Sequence, residues 1–355
     1  MSGPVLVTGA GGFIGGRIVE ILTLAGIPVR AGVRRWGSAA RIGRFDVEIV
    51  RCDVADAAEM ARTVAGCDAV IHCAVGNAAV TVGGTENVLA AAAAASVRRV
   101  VHISTIDVYG DAAGSITEDT PLQRTGRPYG DSKIEAEERC MEWAPRVPVT
   151  ILRPSIVYGP FSEGWTVSYA QRLQQRPWPL PVETSQGICN LVYVDDLVGA
   201  CVQLLRTEHG SGEAFNVNGP DRPTWHDYFE ALNGALGLPP LQSARPREAH
   251  LAAAVMAPVR RTAQYVLKHH KSTVMALYQR FDLAKRLMKL AEQAVRRAPS
   301  GNEFRLYSKV LPIESGRLEA AFGWTPRFGM ERGVALSADW LRHHGFVPDA
   351  GARAR

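Results

Sequence analysis

Short apolar runs alternate with longer amphipathic stretches over the first 160 residues. The apolar runs predict buried strands at 4–10, 28–34, 47–53, 69–74, 98–105 and 149–155. The amphipathic stretches predict helices at 15–26, 56–66, 84–97 and 129–143. Strands separated by helices of this length form parallel βαβ units. The pattern therefore predicts an α/β fold with a doubly wound parallel sheet.

Beyond residue 160 the pattern is less regular and mainly helical. The segments 190–197 and 214–220 predict two strands that return to the first sheet. We therefore expect a sheet domain formed by 1–160 with 190–220. We also expect a smaller, mainly helical C-terminal lobe formed by 161–189 with 221–355.

A glycine-rich loop, "VTGAGGFIGG", joins the first predicted strand to the first predicted helix. Gly9, Gly12 and Gly15 allow a tight turn and a close approach of the backbone to a pyrophosphate. The helix N-terminus, with Phe13 and Ile14 in its first turn, offers free N–H groups and a positive dipole end. The loop predicts that the sheet domain binds a dinucleotide. We expect the C-terminal lobe to bind the substrate.

The end of the second predicted strand indicates which dinucleotide is bound. NAD-binding proteins usually place an acidic residue there to accept the ribose hydroxyls. This chain has Arg34 and Arg35 at that place, and no carboxylate follows until Asp46. Because arginine pairs well with a 2′-phosphate, the sequence favours NADP. NAD is the alternative, in which both arginines are solvated surface residues.

A tyrosine and a lysine stand one helical turn apart in "RPYGDSK". The strand "RRVVHIST" before them ends in Ser104 and Thr105, whose hydroxyls are expected to face the ligand crevice. A free phenol ionises near pH 10, and a neighbouring ammonium lowers that pKa. We therefore expect Tyr129 to transfer a proton and Lys133 to lower the pKa of Tyr129. Thr105 would hold the substrate oxygen, and Tyr129 and Lys133 would also contact the cofactor.

With the motifs "TGAGGFIG", "VIHCA", "HISTIDVYG", "YGDSK" and "LRPSIVYGP", the chain resembles the extended short-chain dehydrogenases/reductases. This group is also called the NAD-dependent epimerase/dehydratase family. The resemblance covers nearly the whole chain outside about 243–300, and it implies a Rossmann fold. It also implies that Asp53 and Val54 contact the adenine and that Ala74 lies near the nicotinamide ribose. Pro154 and Ile156 would cover the nicotinamide.

Two departures from the family pattern narrow the reaction. Dehydratases of the family need a carboxylate pair directly after the active-site threonine, where this chain has Ile106 and Asp107. Sugar dehydration is therefore disfavoured. Nucleotide-sugar epimerases carry an arginine for the substrate diphosphate where this chain has Cys189. A plain nucleotide sugar is also disfavoured, unless Arg172, Arg176 or the basic segment described below supplies the charge.

The resemblance and its departures imply an NAD(P)-dependent oxidoreductase that interconverts a secondary alcohol and a ketone. The substrate would be a sugar, nucleotide- or lipid-linked, and the reaction epimerisation or keto-reduction. One alternative is a reductase of a hydrophobic ring ketone, similar to flavonol reductases or hydroxysteroid dehydrogenases. An alternative of another class is a non-catalytic NADP-sensing or scaffold protein. An intact set of Thr105, Tyr129 and Lys133 argues against the latter.

The net charge of +5 is concentrated in one predicted helical insertion at about 245–300. That segment has twelve Arg or Lys and three Asp or Glu, so the rest of the chain carries a net charge of −4. Three interpretations compete: a surface helical hairpin, a helix pair that contacts anionic lipid headgroups, and a nucleic-acid contact. We expect no nucleic-acid partner, because aromatic residues are sparse there beyond Tyr278 and Phe281.

The remaining expectations concern compartment and assembly. The six cysteines are irregularly spaced and form no metal-binding motif, which predicts reduced thiols and no metal site. The N-terminus enters a predicted strand at once. We expect a cytoplasmic homodimer, with peripheral contact at the inner membrane face if the basic segment binds lipid.

Overall fold

The computed structural model describes residues 3–174, 181–207, 209–241, 245, 247, 251, 253–259, 262, 266 and 300–347. Most of the predicted basic insertion at 245–300 lies outside the described residues. The chain divides into two compact units. The first comprises Met1–Ser162, Asn190–Asp221 and Leu311–Gly333, and the second comprises Glu163–Cys189, Arg222–Val310 and Val334–Arg355.

A seven-stranded parallel sheet, ordered β3-β2-β1-β4-β5-β6-β9, forms the centre of the first unit. The strands are β1 (Val5–Thr8), β2 (Val29–Val33), β3 (Glu48–Arg51), β4 (Ala69–His72), β5 (Arg99–Ile103), β6 (Val149–Pro154) and β9 (Glu213–Val217). The strand order reverses between β1 and β4, and such a switch point opens a ligand crevice at the carboxyl ends of the strands. The predicted doubly wound Rossmann sheet is confirmed.

Helices cover the strands of the first unit and bury their apolar side chains. They are α1 (Phe13–Leu24), α2 (Ala57–Val64), α3 (Ala78–Ala94), α4 (Pro128–Trp143), α6 (Val194–Leu205) and α9 (Gly316–Phe322). Helix α3 packs between α2 and α4, and α1 packs against α6. Leu6, Val70 and Val100 are almost fully buried beneath α2, α3 and α4. Strands buried on both faces explain the near-continuous apolar runs in the sequence.

The predicted strand at 190–197 is wrong in two respects. Only β8 (Leu191–Tyr193) is extended, and it pairs with β7 (Ile156–Tyr158) in a separate two-stranded sheet. Helix α6 begins at Val194 because Asp195 and Asp196 occupy its first turn, where negative charge stabilises a helix N-terminus. The Asp196 carboxylate also accepts hydrogen bonds from the backbone N–H groups of Arg327 and Phe328, at 2.8 and 3.0 Å.

The segment Leu311–Gly333 belongs to the first unit, although the sequence prediction placed it in the substrate lobe. Its contacts with Asp196 are one reason. A second is the parallel bridge between Ile116 and Ile313. A third is the amide of Asn190, which donates a 2.8 Å hydrogen bond to the Leu311 carbonyl. These pairings are distant in sequence, so the local pattern could not predict them.

The described part of the second unit is mainly helical and has an aromatic core. Its helices include α5 (Ser168–Gln174), α7 (Trp225–Ala235) and α8 (Gly301–Tyr307), and α10 (Met330–His343) ends in this unit. Tyr169, Trp225 and Tyr307 are buried, and the hydroxyls of Tyr169 and Tyr307 lie 2.8 Å apart. Arg172 forms a 2.5 Å ion pair with Glu303 beside this core.

None of the described helices is long and apolar enough to cross a bilayer. The six cysteines are unpaired. Within the described residues no cluster of three His, Cys, Asp or Glu side chains is arranged to hold a metal ion.

Candidate active site

The glycine loop follows β1 and leads directly into α1. Gly9 has a φ of +67°, a conformation that favours glycine, and a Cβ there would lie 2.9 Å from the backbone nitrogen of Ala74. Gly12 is the N-cap of α1 and makes no side-chain cap, so α1 begins with uncapped N–H groups at Phe13 and Ile14. This end of the helix can therefore bind the pyrophosphate of a dinucleotide.

A buried histidine that no sequence motif had indicated supports the glycine loop. His72 Nδ1 lies 2.7 Å from the hydroxyl of Thr8, and His72 Nε2 lies 3.1 Å from that of Thr85. Thr85 donates its only proton to the Thr81 carbonyl, so its hydroxyl must accept from Nε2–H. Nδ1 then accepts from Thr8. Burial lowers the pKa of His72 to about 3, so the ring stays neutral at physiological pH.

The predicted adenosine contacts lie at the ends of β2 and β3. Arg34 and Arg35 follow β2 directly and are exposed, and neither forms an ion pair with any described carboxylate. Asp53 accepts a 3.1 Å hydrogen bond from the N–H of Ala55. Val54 is buried, and its carbonyl accepts a 2.9 Å hydrogen bond from Asn87 of α3. Two free guanidinium groups are therefore available to an anion at this edge.

The structure brings Tyr129 and Thr105 together at the carboxyl end of β5. Thr105 is the N-cap of a short 3₁₀ helix that follows β5. Its side chain lies near enough to the Tyr129 hydroxyl to influence the pKa of that group. Tyr129, in the first turn of α4, is 49% exposed. Lys133 lies one turn further on and is only 3% exposed, and its Nζ donates a 2.8 Å hydrogen bond to the Ile103 carbonyl.

The pKa values of this set differ from the sequence expectation. Burial of the hydroxyl raises the pKa of Tyr129, the neighbouring Thr105 side chain opposes this rise, and the Asp107 carboxylate adds to it. Lys133 is not among the groups that shift the pKa of Tyr129, so the predicted lowering by its ammonium is wrong for the protein alone. Burial lowers the pKa of Lys133 itself to about 8, against the opposing influence of Cys73 and other acidic neighbours.

The sequence predicted that the Ser104 hydroxyl faces the ligand crevice, and this prediction is wrong. Its hydroxyl donates to the Glu137 carboxylate, one turn after Lys133. Glu137 also receives hydrogen bonds from Arg153, the shortest at 2.7 Å, and Arg153 donates a 2.9 Å bond to the Tyr109 hydroxyl. All four side chains are buried. A glutamate four positions after Lys133, with an arginine in the next strand, was the sequence signal for this network.

The remaining predicted residues follow β6. Pro154 ends that strand and is buried, whereas Ile156 begins β7 and is partly exposed. The N–H of Ser155 donates to the Val217 carbonyl at 2.9 Å, and that of Ile156 donates to the Asn190 carbonyl at 3.0 Å. This segment therefore lies between β9 and β8 at the carboxyl end of the sheet.

Neither the position of the family's arginine nor the first of the two arginine candidates offers a free charge to a substrate diphosphate. Cys189 is fully buried, and burial raises the pKa of its thiol. Arg172 is committed to its ion pair with Glu303. Arg176, the other arginine candidate, lies outside the described residues.

Residues 5–218 match the family described as the NAD dependent epimerase/dehydratase family. This match spans more than half of the chain, and the chain belongs to that family. It is an enzyme of the short-chain dehydrogenase/reductase type.

Relatives of the chain include both sugar and steroid enzymes. It is 27% identical to the N-acetyl-alpha-D-glucosaminyl-diphospho-ditrans,octacis-undecaprenol 4-epimerase of Escherichia coli O157:H7, over 62% of this chain and 69% of that protein. It is 28% identical to human 3 beta-hydroxysteroid dehydrogenase type 7, over 95% of each chain. The solved structure of UDP-glucuronic acid 4-epimerase from Bacillus cereus in complex with NAD superposes with a TM-score of 0.70, at 18% identity and 96% coverage of both chains. At this identity the likeness shows the fold.

Proposed function

We propose that the protein is an NADP(H)-dependent oxidoreductase that interconverts a ketone and a secondary alcohol at Tyr129. The observation that carries this proposal is that the Thr105 side chain lies beside the Tyr129 hydroxyl, on a tyrosine ring that is half exposed. A substrate oxygen that approaches the exposed side of this pair can accept a hydrogen bond from each hydroxyl.

The protonation state of Tyr129 favours ketone reduction. Its raised pKa keeps the phenol protonated at neutral pH, so it is ready to donate a proton. A bound nicotinamide cofactor supplies or accepts the hydride. Thr105 orients the carbonyl oxygen and Tyr129 protonates it. Lys133, held on the Ile103 carbonyl, places positive charge one helical turn away.

The proposed cofactor is NADP(H), with the 2′-phosphate bound by Arg34 and Arg35. Both guanidinium groups are exposed and lack a described carboxylate partner. Arginine binds phosphate in a bidentate manner that the family's usual acidic residue cannot provide. The Bacillus cereus structure contains NAD. Fluorescence titration with both reduced cofactors tests the choice, and tighter binding of NADH would contradict it.

The proposed substrate is a keto-sugar on a lipid carrier rather than a free nucleotide sugar. Cys189 and Arg172 offer no charge to the diphosphate of a nucleotide sugar, and a carrier that contains a diphosphate would have to be bound by other residues. The Escherichia coli relative is named for an undecaprenol-linked sugar. A hydrophobic ring ketone is the second candidate, and the steroid dehydrogenase that aligns along nearly the whole chain favours it.

Replacing Tyr129 tests the proposal. We expect Tyr129→Phe to lower kcat/KM for ketone-dependent NADPH oxidation by about 10²-fold or more, because the proton donor is lost. NADPH affinity should stay within about twofold, because Phe keeps the ring. Assays with a lipid-linked keto-sugar and a ring ketone distinguish the two substrates. An epimerase would instead turn over without net NADPH consumption. Undiminished reduction by Tyr129→Phe would overturn the assignment.

A further inference from the structure

The segment that follows β2 turns back over the glycine loop. Ser38 lies against Gly11, where an added Cβ would come within 2.5 Å of the Ser38 carbonyl oxygen and 2.7 Å of its Cβ. Gly11 is not one of the three glycines that the dinucleotide motif requires. The close approach of Ser38 explains why this fourth position requires a residue without a Cβ. The loop that binds the pyrophosphate and the segment that begins with Arg34 and Arg35 are therefore packed together.

Arg41 fastens the far end of this segment to the first turn of α1. Its Nη1 donates hydrogen bonds to the carbonyls of Gly12 and Phe13, at 3.2 and 3.1 Å. Its guanidinium lies beside Gly16, where a Cβ would come within 3.1 Å of the guanidinium carbon. The arginine therefore contacts the same turn of α1 whose N–H groups face the cofactor site.

Phe161 covers the other side of the Arg41 guanidinium. The guanidinium carbon lies 3.9 Å from the centroid of the Phe161 ring, which is a cation–π contact. Phe161 has a φ of +70°, which is rare for a bulky residue. Such conformations persist only where the surroundings hold them, and they cluster at ligand sites. Arg41 is therefore fixed between α1 and the loop that follows β7.

The charge of Arg41 has no described counter-ion. No described carboxylate forms an ion pair with it, and its Nη2 is buried without a hydrogen-bond partner. Burial lowers the pKa of Arg41 to about 10, and the neighbouring Arg17 and Arg44 lower it further while Glu20 opposes them. The charge of Arg41 itself therefore lies beside a helix N-terminus, an arrangement that favours a bound anion.

We propose that Arg41 is a positioning residue that holds the 34–41 segment on the glycine loop and thereby sets the preference for a 2′-phosphorylated cofactor. Anchored at Ser38 and Arg41, the segment has a fixed path from the end of β2. The guanidinium groups of Arg34 and Arg35 are then held near the ribose. This inference rests on the proposed use of NADP(H) and extends it to a residue other than Arg34 and Arg35.

The test compares dissociation constants for NADPH and NADH in matched variants. We expect Arg41→Ala to raise the Kd for NADPH by about tenfold and that for NADH by about twofold, because the 2′-phosphate contact depends most on the segment's position. Arg41→Lys should fall between wild type and Arg41→Ala, because lysine keeps the charge and loses the planar stack. Arg44→Ala is the matched control. Arg44 is exposed and contacts Glu20 at 3.4 Å, and both Kd values should stay within about twofold of wild type.

An NADPH-to-NADH affinity ratio in Arg41→Ala within twofold of wild type would overturn the inference. Circular dichroism establishes that each variant is folded. If Arg41→Ala does not fold, Phe161→Leu removes only the ring above the guanidinium and should shift the ratio in the same direction. An unchanged ratio in Phe161→Leu would then overturn the inference. The wild-type ratio separately tests the choice of NADP(H), so the two failures are distinguishable.

Discussion

Lys133 is a basic residue in a buried position, where the charged form is disfavoured. It is almost fully buried, and burial lowers its pKa from 10.5 to about 8. The ammonium is therefore fully present well below pH 8 and is lost as the pH rises through this value. Tyr129 remains protonated over the same range, because its own pKa is raised. As the pH rises, the positive charge of Lys133 is therefore lost before the phenol of Tyr129 ionises.

This difference predicts the pH dependence of ketone reduction. We expect kcat/KM to fall above about pH 8, by up to tenfold per pH unit, as Lys133 deprotonates in the free enzyme. Lys133→Met keeps the aliphatic stem, and it should be about 10²-fold less active with no transition near pH 8. Measuring kcat/KM from pH 6 to pH 10 checks both statements. A transition near pH 8 that persists in Lys133→Met would show that another group titrates.

The residues of the candidate active site could be proposed one by one from the sequence, whereas their electrostatic state could not. Tyr129 and Lys133 follow from helical spacing, and Thr105 follows from its place after a buried strand. The direction of the Tyr129 pKa shift depends on how the hydroxyl is buried and where Asp107 lies. Both depend on the tertiary structure. The neutral ring of His72 and the approach of Ser38 to Gly11 also depend on contacts between distant segments.

Among the elements, α4 connects the active site to the core. Lys133 and Glu137 lie on one face of this helix, a turn apart, and Glu137 forms a buried ion pair with Arg153 of β6 at 2.7 Å. The next residue, Glu138, forms an ion pair of 2.6 Å with Arg124 in which both side chains are about half exposed. Two adjacent glutamates of one helix therefore make ion pairs in very different surroundings.

The two pairs predict very different costs of substitution. Glu137→Gln leaves Arg153 buried with an uncompensated charge, so we expect the free energy of unfolding to fall by about 3 kcal/mol. Glu138→Gln should cost less than about 1 kcal/mol, because water screens the exposed pair. Urea unfolding at pH 7 measures both. Similar costs for the two variants would show that Glu137 is not part of a buried network.

At the scale of elements, the sequence predicted which segments of the first unit form strands and helices. It predicted less well where each element starts and which strands pair. Helix α3 begins at Ala78, six residues before the predicted start at 84, because Asn77 caps it by accepting a 2.9 Å hydrogen bond from the N–H of Val80. Strands β7 and β8 have three residues each and pair across more than thirty residues. Runs that short carry no periodicity, so the sequence could not assign them to a second sheet.

At the scale of the whole molecule, the proposed reaction does not explain why charge is distributed unevenly along the chain. The segment 245–300 carries a net charge of +9, and the remainder carries −4. An acidic body repels anionic membranes, whereas a concentrated basic segment is attracted to them by about 1 kcal/mol per basic residue near the surface. A lipid-linked substrate would place the enzyme at such a surface. The charge distribution and the proposed substrate therefore both predict that the protein binds anionic membranes.

We expect the protein to float with phosphatidylcholine vesicles that contain phosphatidylserine, and not with phosphatidylcholine alone. Binding should weaken at high salt, because screening shortens the reach of the charges. Reversing three charges of the segment, with Lys285→Glu, Arg286→Glu and Lys289→Glu, should abolish flotation. The same charge change at exposed sites of the first unit, with Arg44→Glu, Arg51→Glu and Arg62→Glu, should have little effect. Equal loss in both triple variants would mean that net charge alone governs the attraction. No flotation of the wild type would favour a hairpin that packs on protein.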